Sequence, residues 1–135
     1  MNYSVDNIHK ICKEYGIENY TINPDGSIDV DGDVNLYNEW LDELPVKFNH
    51  VSGNFYCGDN NLTTLEGSPK SVGGNFGCSW NNLTTLEGSP KSVGGDFFCR
   101  FNPIYYQLGD IDYKSYIKQL NRDKILNELL NRRDT

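Results

Sequence analysis

Four carboxylates, Asp25, Asp29, Asp31 and Asp33, crowd one short stretch of the chain. The alternation Asp29-x-Asp31-x-Asp33 imitates the first three oxygen donors of a calcium-binding loop. The rest of such a loop is missing. Val34 stands where the sixth position needs glycine, and Trp40 where the twelfth needs a bidentate glutamate. Alternation along a strand already turns such carboxylates outward without an ion, so no metal or other cofactor is expected. His9 and His50 are the two histidines, and neither belongs to a recognisable cysteine or serine nucleophile motif. Phosphate-cradling glycine loops are absent too. The residues predict no active site, and the chain reads as non-enzymatic.

The cysteines carry a different message. Cys57, Cys78 and Cys99 are spaced 21 residues apart, without a CxxC pair. That spacing predicts one inward column of small apolar side chains rather than a metal site or disulfide. Cys12 falls on the apolar side of a separate helix and is read the same way.

The same period runs through the chain. "NNLTTLEGSPKSVGG" occupies 60–74 and recurs unchanged at 81–95. Gly32, Gly53, Gly74 and Gly95 fall in register, as do Val34, Phe55, Phe76 and Phe97. Leu36 precedes the cysteines in their column, and Leu41, Leu62, Leu83 and Ile104 form another. Asn60, Asn81 and Asn102 make a polar column, broken by Glu39 in the first unit. A period of this length means a solenoid, in which each coil buries its apolar side chains only against its neighbours. In each coil, Phe and Cys two apart should share the inner face of a strand, so Asn75, Gly77 and Ser79 should face out. Asn81 should satisfy backbone groups of the turn. The Glu-Gly-Ser-Pro-Lys-Ser return should be extended or turn-like, because Gly and Pro forbid a long helix.

Phe76, Cys78, Asn81, Leu83 and Leu86, with their counterparts, resemble the short bacterial kind of leucine-rich repeat, with Val72 one position early. "INPDGSIDVDGDVNL", the "VGG[ND]F.C..N.L..LEG.P" units and the terminal "NP-I-Y" are similar to small proteins encoded by tailed bacteriophages. The resemblance implies an α/β fold: a short solenoid with a parallel sheet of about four repeat strands.

One domain, 1–135, is expected, divided into a front cap (1–31), repeats (32–104) and a rear cap (105–135). Ser4 should cap a helix with Val5, Ile8, Ile11, Cys12 and Tyr15 on one face, ended by Gly16. Ile28 and Val30 should form a strand of the following hairpin and pair beside Val34–Leu36. The rear pattern suggests two helices, 112–121 and 122–133, covering the last coil.

Residues 1–109 carry 6 basic and 14 acidic side chains, net −8, whereas 110–135 carry 6 and 5, net +1. Nucleic-acid binding by phosphate neutralisation is thereby disfavoured. No apolar run is long enough to span a membrane, and the N-terminus lacks a signal-peptide pattern. A cytoplasmic location is therefore expected, in the host cell if the chain is phage-encoded.

What varies between repeats is the strand: "NFYCGD", "NFGCSW" and "DFFCRF" against a copied scaffold. Its outward positions present Tyr37, Tyr56, Asp59, Trp80, Phe98, Arg100 and Phe101. Aromatics and Arg dominate protein-binding hot spots, and these seven are the candidate partner-binding residues. Phe98 and Phe101, in the last coil, could instead pack on the cap. The expected function is binding and inhibition or redirection of a host or host-defence protein. Two alternatives stay open: a virion or assembly component, and a small-ligand binder or undetected enzyme.

Overall fold

A computed structural model describes residues 4–133 of the chain. It is a solenoid of flat coils carrying two sheets, one wholly parallel and one parallel but for its first strand. The back sheet runs in the order β1 (Tyr20–Ile22), β2 (Ile28–Val30), β4 (Phe48–Val51), β6 (Ser71–Val72) and β8 (Ser92–Val93). The front sheet holds β3 (Val34–Asn35), β5 (Phe55–Tyr56), β7 (Phe76–Gly77) and β9 (Phe97–Phe98). Every pairing is parallel except β1 with β2, and the parallel pairs join residues 21 apart, save Ile28 with Phe48 at a register shift in β2.

The second sheet corrects the expectation for Ile28 and Val30. β2 lies beside β4, pairing Val30 with Val51, and β3 pairs instead with β5. The reason is the corner between β2 and β3. Gly32 takes φ 139°, and the chain turns there from the back sheet to the front one. β2 and β3 are therefore successive sides of one coil, not neighbours in one sheet. Val72, one position early as a leucine, is the buried residue of the back strand.

The repeated Gly-Gly corners follow from the same stacking. A Cβ on Gly73 would collide with the Ser52 carbonyl oxygen, and one on Gly94 with that of Gly73. At Gly74 and Gly95 it would strike the Asn54 and Asn75 Oδ1 atoms. Those oxygens are already committed: Asp33, Asn54 and Asn75 each accept from a main-chain N–H one coil on, at 2.7–2.8 Å. The VGG[ND] string thus combines close backbone approach with a hydrogen-bonded side-chain ladder.

A second ladder lies inside. Asn81 Oδ1 accepts from Leu62 N at 2.9 Å, while its Nδ2 donates to the carbonyls of Cys57 and Cys78 at 3.1 Å each. Asn60 and Asn102 repeat the pattern one coil before and after. These asparagines satisfy turn groups that neither sheet reaches, as the spacing predicts.

Around them the core is a set of columns. Phe55, Phe76 and Phe97 stack at centroid spacings of 5.7 and 5.2 Å. Tyr113, from the rear cap, closes the column on Phe97 at 5.9 Å. Front-cap helix α1 (Val5–Glu14) begins at Ser4, whose Oγ accepts from Asn7 N, and ends before Gly16 at φ 67°. It buries Ile8 and Cys12, while Val5 is exposed.

The rear cap departs from expectation. A short helix α2 (Pro103–Leu108) starts within the last repeat, burying Ile104. Residues 113–133 then form one continuous helix, α3 (Tyr113–Arg133), rather than two. Its first half covers the last coil through Tyr113 and Ile117, but Ile125, Leu126, Leu129 and Leu130 remain about half exposed. No glycine or proline interrupts 113–133, so nothing local breaks the helix into a hairpin.

Candidate binding site

The outward positions of the front sheet form a cleft. Its floor is glycine. A Cβ on Gly77 would lie 2.8 Å from the Tyr56 ring, and one on Gly58 3.5 Å from Tyr37 and 2.9 Å from the Ser79 carbonyl. Absence of side chains at 58 and 77 therefore lets Tyr37 and Tyr56 lie down across neighbouring coils. The Tyr56 hydroxyl is held by Asn75 Nδ2 at 3.3 Å. With Trp80 and Phe98 these rings enclose a mainly apolar cleft of about 370 Å³, edged by Asn35 and Ser79. That is the size of a small-ligand site or of a pocket for one large side chain.

One wall of the cleft is strained. Asn38, Asp59, Trp80 and Phe101 occupy the same repeat position, and all four have left-handed backbone, φ 53–60°. Asn and Asp visit this region readily through local hydrogen bonding, whereas a bulky side chain is disfavoured by on the order of 1 kcal/mol. The coil needs a left-handed residue here, yet the third and fourth coils put aromatics in it. Trp80 and Phe101 stack face to face at 4.0 Å, with 54% and 44% of their surfaces exposed. That stacking offsets part of the strain, but does not hide the rings.

The seven sequence candidates divide accordingly. Tyr37, Tyr56, Trp80 and Phe98 line the cleft. Asp59 and Phe101 flank Trp80 in the left-handed column. Arg100 turns to the rear cap, 3.8 Å from Asp110 across a solvent-exposed pair. Phe98 is 42% exposed, so neither it nor Phe101 is sealed beneath the cap. Sequence reasoning missed Gly58 and Gly77 as the floor; the signal was the lack of any side chain in columns that elsewhere hold Tyr, Phe and Arg. It also missed Trp40, read merely as an absent calcium ligand, which is 83% exposed at φ 57°.

The chemistry-bearing groups lie elsewhere. Asp29 accepts from Asn49 Nδ2 and His50 N, Asp31 from Ser52 Oγ, and Asp33 from Asn54 N. Each carboxylate points along the stack at a different partner, so they do not converge. Among the described residues no group of three or more His, Cys, Asp or Glu side chains could hold a metal. Asp25 caps its turn by accepting from Ser27 N and Oγ, with Lys47 3.3 Å away. These bonds, chiefly those from Ser27, hold its carboxyl well below the usual range.

The back sheet does set His50 beside Ser71, Nδ1 to Oγ at 2.5 Å, with Asp29 in the same column. The arrangement imitates a triad only in composition. Asp29 accepts from the His50 main-chain N–H and from Asn49 Nδ2, so its bonds do not orient the imidazole. His9 Nδ1 lies 2.6 Å from the Tyr20 hydroxyl, joining α1 to the hairpin.

All four cysteines are buried and free. Burial pushes the Cys57 thiol up to about 12 and Cys99 up to about 11, with Cys78 between them also well above its ordinary value. A raised value in the folded state means that the thiols stabilise the fold fully below the unfolded thiol pKa. That contribution is lost as pH climbs from about 9 through 11–12. At mildly alkaline pH the native protein should therefore react with a thiol reagent only as fast as it unfolds. Prompt labelling of Cys57, Cys78 and Cys99 without denaturant would refute the buried column.

Comparisons with family models, with curated proteins and with solved structures give no match.

Proposed function

We propose that the protein is a non-enzymatic binding module whose front-sheet cleft receives an anchor side chain from a protein partner. The observation that carries this reading is Trp80. The indole is more than half exposed and held in a backbone conformation that disfavours it, where Asn38 and Asp59 satisfy the scaffold without strain. Strained, exposed aromatics beside a cleft serve binding better than folding. For a phage-encoded chain, as the sequence resemblance implies, the partner class is a host or host-defence protein, which docking would block or redirect.

Replacing Trp80 separates binding from stability. Trp80→Asn puts into the column the residue type found at 38, trading the lost Phe101 stack for relaxed backbone. Stability should stay within about 1 kcal/mol of wild type, while partner affinity falls by about 2 kcal/mol or more. Lys70→Ala, on the copied return path, should change neither. Affinity capture with wild type and Trp80→Asn as paired baits tests this. A stoichiometric host protein retained by the first and lost from the second supports the reading. Equal retention by both moves the binding surface elsewhere.

The volume and apolar lining of the cleft favour a second reading, a small ligand with a flat apolar face. Native mass spectrometry of protein purified from its host distinguishes the two, because a small ligand would travel as a discrete adduct that Trp80→Asn abolishes.

A further inference from the structure

Two other apolar surfaces are uncovered, at opposite ends of the stack. In the first coil, the turn 38–43 presents Trp40, the most exposed large apolar side chain among the described residues, at positive φ. Glu39, Asp42 and Glu43 surround it in sequence, all exposed, and no basic residue precedes Lys47 there. The turn is not loose: the main-chain N–H groups of Glu39 and Leu41 both donate to Asn60 Oδ1, at 3.0 Å.

Behind the last coil, the distal half of α3 carries Ile125, Leu126, Leu129 and Leu130. Helical geometry decides whether the protein's own body can cover them. Tyr113, Tyr116, Ile117 and Leu120 face the last coil as a single stripe. At about 100° per residue, the distal stripe is centred about 160° away on the helix cylinder. Bending α3 toward its own coil would therefore bury the wrong side. Arg122 falls on the distal face and Lys118 at its edge, where it also lines the groove between α3 and the last coil. Both are exposed and without an ion pair among the described residues, while Asp123 borders the face beside Leu130 and Glu128 falls outside it.

The two surfaces are complementary: an acidic turn around a projecting indole, and a basic face around an apolar stripe. Pairing two distal helices in parallel would instead set Arg122 and Lys118 against their own copies, which like-charge repulsion opposes. We propose that the protein self-associates, the Trp40 turn of one copy docking on the distal α3 face of a second. Glu39, Asp42 and Glu43 then face Lys118 and Arg122 around a contact between Trp40 and the leucines. The contact joins two different patches, so two copies satisfy it reciprocally about a two-fold axis, or head-to-tail docking lets further copies extend it. It leaves the front-sheet cleft free and stands apart from the function proposed above.

Analytical ultracentrifugation of the full chain over a wide concentration range tests the contact. Wild type should sediment above monomer mass, more weakly at high salt because the charged contacts are screened. Trp40→Ala and the double variant Leu126→Asp/Leu129→Asp should each weaken association about tenfold or more, with unchanged circular dichroism. Glu39→Lys/Asp42→Lys should weaken it likewise, and adding Lys118→Glu/Arg122→Glu should restore it. Wild type that stays monomeric throughout overturns the proposal. So does association lost with the leucine variant but untouched by Trp40→Ala, which would mean helix–helix pairing. Monomeric protein that floats with anionic phospholipid vesicles through Leu126 and Leu129 would assign the face to a lipid surface instead.

Discussion

Asn81→Ala should destabilise the protein by about 3 kcal/mol, far more than its chemistry as a turn residue suggests. The side chain is buried, and its three hydrogen bonds reach two coils. Their loss is unequal. Leu62 N–H is left buried without its acceptor, whereas Cys57 and Cys78 carbonyls keep one donor each, from Asn60 and Asn102. One orphaned donor costs about 1–3 kcal/mol, and two weakened acceptors with the small void account for the rest. Asn82→Ala, at the exposed neighbouring position, should stay within about 0.5 kcal/mol. Asn81→Asp gives a sharper result. It keeps the acceptor but turns a second oxygen toward two carbonyls, so the protonated form is favoured in the folded state and its pKa rises. Its stability deficit should be smallest below the ordinary carboxyl pKa and grow as pH rises above it. Chemical denaturation at acid and neutral pH measures this. An Asn81→Ala protein within about 1 kcal/mol of wild type would mean that water or backbone adjustment replaces the ladder.

Gly73→Ala is the second large effect, and it adds nothing but a methyl group. Its Cβ has no space, because the Ser52 carbonyl oxygen occupies the position. Main chain on both sides prevents the rotamer adjustment that usually absorbs overpacking, so the coils must separate or twist. A cost of about 3 kcal/mol or more is expected, at the upper end for an added methyl. Ser52 holds the equivalent position one coil earlier and shows why the rule starts at 73. Its hydroxyl accepts from Gly32 N and donates to Asp31, across to a first coil that takes a side chain there. Ser52→Gly should therefore be mild. Thermal melts of the two variants against wild type decide the matter, and a Gly73→Ala protein melting with wild type would show that the coils can slide apart without loss.

Much of this was legible at the level of residues. The 21-residue period determined the solenoid, the inward Phe and Cys columns and the asparagine ladder, because each coil meets only its own copy above and below. Local chemistry determined the α1 boundaries: a serine cap, an apolar face and a left-handed glycine. The aromatic departures among the strand columns pointed to the cleft walls.

What the sequence could not decide were relations between elements. Periodicity groups residues that stack, but does not say how many sides a coil has, so the back sheet and the β2–β4 pairing needed the fold. The chemistry of glycine is permissive, and only the packed neighbours reveal that Gly77 and Gly58 are a floor while Gly73 and Gly94 are contact points. The apolar count in 113–130 suggested two covering helices, yet helical continuity carries the second stripe to the far side of α3. Left-handed backbone at Trp80 and Phe101 belongs to the coil, not to those residues. The sequence wrote Asn, Asp, Trp and Phe in one column, and only the tertiary structure makes the last two costly, because stacking against neighbouring coils imposes a single backbone path on all four.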